Sequence, residues 1–200
     1  MTGNTKWPEP DARWIWIGKA KSGWNQYVEF SRFFRMMKEN GTYWARISVD
    51  SDYELWVNGA LAGWNQFPNW PKHKTFNSHD VTGRVISGNN CISVRVYYRG
   101  ENFSTYAKGR PALIFALSLA EHTLLKSDCS WRCRLSKSYQ SGRMPKVSPQ
   151  LGFTIQYDAR GEDNWQLPRY KEGRNWQTVT ELAGPTDGYW QSLQPRPLHL

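Results

Sequence analysis

Residues 51–63 read SDYELWVNGALAG, and TFNSHDVT follows over 75–82. In the first stretch Tyr53, Leu55 and Val57 alternate with Glu54 and Trp56, the period-two pattern of a strand with one buried face. Asn58-Gly59 then marks a two-residue turn. Both central residues of a type I′ hairpin take positive φ, which Gly and Asn tolerate best. Residues 60–64 return as the partner strand, so the middle of the chain predicts an antiparallel β unit.

The same punctuation continues on both sides. Residues 14–17 form a short apolar strand. Residues 26–37 form a longer one, with Val28, Phe30, Arg32, Phe34 and Met36 on one face and Tyr27, Glu29, Ser31, Phe33 and Arg35 on the other. After the Asn40-Gly41 turn, residues 43–50 place Tyr43, Ala45, Ile47 and Val49 on one side. Residues 65–74 are a loop with two prolines, 75–80 a strand and 81–86 a helical turn. Strands follow at 91–98 and at 111–119, the latter with Leu113, Phe115, Leu117 and Leu119 inward, and 99–109 is the polar loop between them. Residues 123–126 and 130–137 predict a hairpin across 127–129, and 153–158 one further strand. Short strands with turn signals every 8–12 residues or so predict an all-β fold, a β-sandwich or jelly roll.

Residues 1–137 are expected to form the sandwich core. Residues 138–200 are expected to carry a final strand and an extended tail packing on it through Trp165, Trp176 and Trp190, and leading to a downstream domain that this chain lacks. At 200 residues, 39% hydrophobic and 22% charged, the chain can bury a core. Its 12 tryptophans suit either that core or a sugar-stacking surface. The core takes the larger share, because big rings carry most of the burial energy of a β-domain.

The net charge of +9 fits an anionic polysaccharide, a nucleic acid or a soluble surface. The basic residues are scattered, with no RNA-recognition signature, zinc-finger spacing or basic helix, so nucleic acid is disfavoured. Three cysteines, Cys91, Cys129 and Cys133, make no disulfide framework. Cys129 and Cys133 stand four strand steps apart, too far to bridge, and are expected as free buried thiols. The opening MTGNTKWPEP has no apolar signal region, which fits a cytoplasmic protein, the location favoured, or equally a clipped domain of a larger one. No apolar run reaches the length of a membrane helix.

A sugar ring asks for an aromatic platform under its apolar face and planar polar partners for its hydroxyls. Residues 64–73 offer Trp64, Asn65, Gln66, Asn69, Trp70 and His73, with Pro68 and Pro71 stiffening the loop. Residues 99–106 offer Arg99, Glu101, Asn102 and Tyr106. Both loops leave the same sheet region and are expected at one end of the sandwich. The alternative is that Trp64 and Trp70 pin their loop to the core. No catalytic residue is assigned: Asp50, Asp52 and Glu54 read as turn carboxylates, Glu162-Asp163 as a solvated loop, and no nucleophile elbow or phosphate-cradling loop is present. No metal ligand is assigned. Calcium held by Asp50 and Asp52 with Asn58 is the one cofactor weighed. His73 and His79 are expected as hydrogen-bonded, partly buried imidazoles.

The ordered series YELWVNG (53–59), HDVT (79–82), ENFSTYAKGRPALIFALSL (101–119), GFTIQYDAR (152–160) and WQSLQPRPLHL (190–200) resembles the N-terminal galactose-binding-like sandwich of bacterial α-L-rhamnosidases and rhamnosidase-like glycoside hydrolases. The resemblance runs from about Arg13 to the C-terminus. It implies a non-catalytic accessory module that binds carbohydrate, L-rhamnose-containing chains among the candidates, or that positions a downstream catalytic domain. The alternatives are a purely structural interdomain or homo-oligomerisation module and a hydrolase fragment active by itself. The family's (α/α)6 catalytic barrel has no counterpart here, and no membrane partner is implied.

Overall fold

The computed structural model describes residues 7–18 and 23–197. In chain order the strands are β1 (Trp14–Trp16), β2 (Gln26–Met36), β3 (Tyr43–Asp50), β4 (Asp52–Val57), β5 (Ala60–Trp64), β6 (His73–Asp80), β7 (Gly88–Tyr98), β8 (Ala112–Leu119), β9 (His122–Lys126), β10 (Arg132–Leu135), β11 (Lys146–Ser148), β12 (Gly152–Phe153), β13 (Gln177–Thr178), β14 (Thr180–Ala183) and β15 (Ser192–Pro195). One sheet runs β14-β1-β8-β3-β6-β15, with β9 also on β8. The other runs β13-β10-β2-β7-β4-β5. Among the described residues no helix is long and apolar enough to cross a membrane.

The alternation read from the sequence is what joins the sheets. Val28 and Phe30 of β2, Tyr43, Ala45, Ile47 and Val49 of β3, and Tyr53, Leu55 and Val57 of β4 share one buried cluster with Leu113, Phe115 and Leu117 of β8. The Asn58-Gly59 turn has φ values of 55° and 83°, as a type I′ turn requires. Asn58 does more than bend the chain. Its amide donates to the Arg84 carbonyl and to Asn90 Oδ1, both at 2.8 Å, and its Oδ1 accepts the Cys91 N–H at 2.8 Å. The hairpin tip is thereby pinned to β7.

The outer faces are also covered, and there the residues 161–197 do the covering. Trp190 stacks on Trp14 at 4.5 Å over Ala112 and Ile114, forming a second buried cluster on the seven-stranded sheet. On the six-stranded sheet, Trp165 and Trp176 are buried against β4 and β10 side chains. The same segment supplies β13, β14 and β15 to sheet edges, β15 pairing in parallel with β6.

The outer face of the six-stranded sheet carries a row of alternating charge. Arg134, Glu29, Arg95 and Glu54 are successive cross-strand partners on β10, β2, β7 and β4. Glu29 is fully buried between Arg134 Nε at 2.6 Å and Arg95 Nη2 at 3.4 Å. Asp163 receives both terminal nitrogens of Arg134 at 2.7 Å, and Glu162 takes Arg95 at 2.8 Å. Glu162-Asp163 is therefore no solvated loop. It neutralises two guanidinium groups that their strands bury.

Three further expectations are corrected. β9 and β10 do not form a hairpin, since β9 pairs with β8 in one sheet and β10 with β2 in the other. Residues between them cross the sandwich edge, where the Ser127 hydroxyl donates to the Arg13 carbonyl at 2.6 Å. Cys129 lies in that crossing and is exposed, whereas Cys91 and Cys133 are buried. The strand expected over 153–158 shrinks to β12, followed only by a bridge between Tyr139 and Tyr157. Ile155 and Tyr157 there are exposed.

Two substitutions test these features. Asn58→Ala is expected to lose about 3 kcal/mol in urea unfolding, from three hydrogen bonds and a disfavoured left-handed backbone, and more than Asn58→Gly. Glu29→Ala removes the carboxylate shared by two buried guanidinium groups, which keep Asp163 and Glu162, and is expected to cost about 1.5–3 kcal/mol by the same measurement.

Candidate functional site

Of the twelve tryptophans, all within the described residues, only Trp64 (57% exposed) and Trp70 (67% exposed) stand out in solvent. Trp64 ends β5, and Trp70 lies in the segment joining β5 to β6. The others fill the core or lie under the tail, as burial energetics favour. The reading in which Trp64 and Trp70 pin their loop to the core is overturned.

Trp70 stands at a groove of about 470 Å³ between two loops. Pro68, Asn69 and Trp70 line one side, and Asn102, Ser104, Thr105 and Tyr106 the other. The two loops do meet at one end of the sandwich. Asn69 is set by its amide donating to Thr75 Oγ1 at 2.8 Å, and Asn102 by its Oδ1 accepting the Lys108 N–H at 2.7 Å. Phe103 and Tyr106 exchange backbone hydrogen bonds across a tight turn, which fixes the second wall.

A buried polar group ties these walls to the sheets. The Tyr106 hydroxyl donates to Asp50 Oδ1, and Lys74 Nζ pairs with Asp50 Oδ2 at 2.8 Å with almost no solvent contact. Burial first, then the Asp50 charge, pushes the Tyr106 phenol far above its ordinary range. It is a fixed donor. The Arg99 guanidinium lies 5.5 Å over the Tyr106 ring.

Other residues assigned to the sugar site go elsewhere. Trp64 and Asn65 line a separate depression on the outer face of the six-stranded sheet. His73 pairs with Ser192 at 3.0 Å on β15, away from the groove. Glu101 is held by Lys146 of β11. Gln66 is buried, accepting the Val49 N–H at 3.0 Å and donating to the Thr75 carbonyl at 2.9 Å. It anchors the loop and cannot meet a ligand.

The carboxylates weighed for calcium have other partners. Asp50 is neutralised by Lys74, Asp52 Oδ1 accepts the N–H groups of Tyr53 and Gln66 at 2.8 and 2.9 Å, and Asn58 is engaged at the hairpin tip. Among the described residues no three acidic, His or Cys side chains gather as metal ligands.

Behind the second depression, Tyr53 accepts from Asn77 Nδ2 at 2.6 Å and contacts His79 Nε2 at 2.7 Å. Burial, then the charges of Arg196 and Arg84, lowers His79 from 6.5 to about 4. The unfolded chain takes up that proton below about pH 6.5, and the folded chain only near pH 4. Protonation therefore favours unfolding across that window.

The family model described as "Alpha-L-rhamnosidase N-terminal domain" matches residues 43–196. Among solved structures, a GH78 family rhamnosidase of Bacillus sp. GL1 is 31% identical with a TM-score of 0.86, over 96% of this chain and 20% of that one. An α-L-rhamnosidase from Aspergillus terreus is 20% identical with a TM-score of 0.70, over 91% and 22%. A Pleurotus ostreatus lectin solved with GalNAc is 13% identical with a TM-score of 0.56, over 94% and 48%, a likeness of fold. The chain thus spans about a fifth of the rhamnosidases it matches. No curated protein matches it.

The buried imidazole gives a pH test. Urea midpoints are expected to fall as pH drops from 6.5 toward 4, and less steeply in His79→Gln.

Proposed function

From the premise that this chain belongs to the α-L-rhamnosidase N-terminal domain family, we propose that it is a non-catalytic module that binds carbohydrate for a larger glycoside hydrolase. One observation carries the reading. An exposed tryptophan, Trp70, borders a groove whose opposite wall presents Asn102, Ser104 and Thr105. A pyranose places its C–H face on such a ring and its hydroxyls on such amides and hydroxyls. The fold shared with a lectin solved with GalNAc supports the same reading.

The site asks little ordering of itself. Pro68 and Pro71 limit the loop, Asn69 is bonded to β6, and Tyr106 is locked on Asp50. Groups already held in place lose less entropy on binding. The +9 charge makes acidic polysaccharides a reasonable part of any ligand panel.

A second reading, positioning of the catalytic domain, rests on the β11–β12 hairpin. Its Val147 and the adjoining Leu151 are large apolar side chains facing solvent. Exposed aliphatic groups together on one hairpin suit a domain contact.

Tryptophan fluorescence during titration with L-rhamnose, other monosaccharides and rhamnose-containing oligosaccharides separates the two. The expected result is a saturable change, weakened at least tenfold in Trp70→Ala and in Asn102→Ala. Absence of any response from the folded chain would overturn sugar binding and leave the positioning role.

A further inference from the structure

We propose that the depression on the outer face of the six-stranded sheet is a second carbohydrate site, one that holds a neutral pyranose against Trp64. This goes beyond the loop-end groove and does not depend on it, because Trp64 and Trp70 stand in different cavities.

The cavity measures about 480 Å³ and arises where the tail stops. Trp165 and Trp176 cover the six-stranded sheet over β4 and β10 and Leu167 reaches the β4–β5 tip at Gly59, while the Glu54–Trp64 end of that hairpin stays open. Glu54 of β4 and Trp64 of β5 are direct cross-strand partners, so the ring and the carboxylate stand side by side on the solvent face. Leu61 and Ile155 add apolar surface, Ile155 being 68% exposed. Tyr97 of β7 stacks on Tyr27 of β2 at 4.5 Å and makes a rigid floor.

The polar groups are set to receive hydroxyls. Glu54 gives Oε2 to Arg95 at 3.1 Å, and its Oε1 has no hydrogen-bond partner among the described residues. Its side chain is 44% exposed. Asp52 likewise binds N–H groups through Oδ1 alone, and burial raises its carboxyl above the ordinary range. Acceptor oxygens beside an open indole face match a ring that stacks by its C–H face and donates from its hydroxyls.

Charge narrows the ligand. Arg95 is the cation in the lining, and Glu29, Glu54 and Glu162 already share it. A uronate would meet Glu54 and Asp52 with no unshared cation in the lining, Arg99 acting on Asp52 only from outside it, so the cavity favours neutral sugars.

The test uses Trp70→Ala as background, so that loop-end binding and its failure stay separate. Calorimetric titration with L-rhamnose, D-galactose and D-glucuronate is expected to show saturable binding of at least one neutral sugar, with D-glucuronate at least tenfold weaker. Adding Trp64→Ala or Glu54→Gln should weaken that binding at least tenfold. Trp64 and Glu54 are solvent-facing, and circular dichroism checks that each variant keeps its fold. No binding of either neutral sugar in the Trp70→Ala background, or binding unchanged by Trp64→Ala, would overturn the second site.

Discussion

Glu29 and the two guanidinium groups beside it constrain more of this molecule than any other contact. Arg134, Glu29 and Arg95 occupy one cross-strand row, and Glu29 has no solvent exposure. Two cations on one buried anion leave a positive remainder that a dry surface cannot hold. Glu54 and Glu162 on Arg95, and Asp163 on Arg134, complete the neutralisation, and the last two bring residues 161–197 onto the row. Arg134, Lys137 and Tyr170 together outweigh the effect of burial and hold Asp163 far below the usual carboxylate range. Arg95 also lies 4.8 Å over the Tyr139 ring and 5.5 Å over that of Trp56, which ties the packing of aromatic rings to the same row.

Docking of the tail decides what remains open. Had Trp165 lain nearer β5, Trp64 would be one more buried indole. Instead Trp165 meets Trp56 edge-on at 5.6 Å and Leu167 reaches the hairpin tip at Gly59, while Trp64 at the far end of β5 stays uncovered. Trp64 and Trp70 then become the two exposed indoles among the described residues, one on the sheet face and one at the loop end. Between them sits Gln66, whose side chain bonds to β3 and to the Thr75 carbonyl. A short segment thus presents two indole platforms, each at a different cavity.

Much of the frame was legible residue by residue. β3 and the β4–β5 hairpin follow from alternation and from Asn58-Gly59, because local burial and local φ decide them. The β9–β10 hairpin was misjudged because two adjacent strands joined by a short polar link look alike whether they pair or part; only the buried Ser127 and Trp131 show that the chain changes sheets. The alternation Phe153, Ile155, Tyr157 suggests a strand, yet only Phe153 is buried in one, while Ile155 walls a cavity and Tyr157 faces solvent. Asp50 and Asp52 read only as turn carboxylates because their partners Lys74 and Gln66 lie 24 and 14 residues away in the chain. Distance in sequence likewise hid the pairing of Glu162 and Asp163.

By itself the sequence determined the all-β class, most strand faces, the hairpin tip and the two loops that converge around Trp70. Each follows from interactions between near neighbours, where side-chain period and turn φ are sufficient. Only the tertiary structure decided which of twelve tryptophans stay in solvent, which carboxylates are neutralised, and that a cavity opens beside Glu54 and Trp64. Those outcomes depend on where a distant segment comes to rest, and that is set by the charge and the apolar area that both sheets leave uncovered.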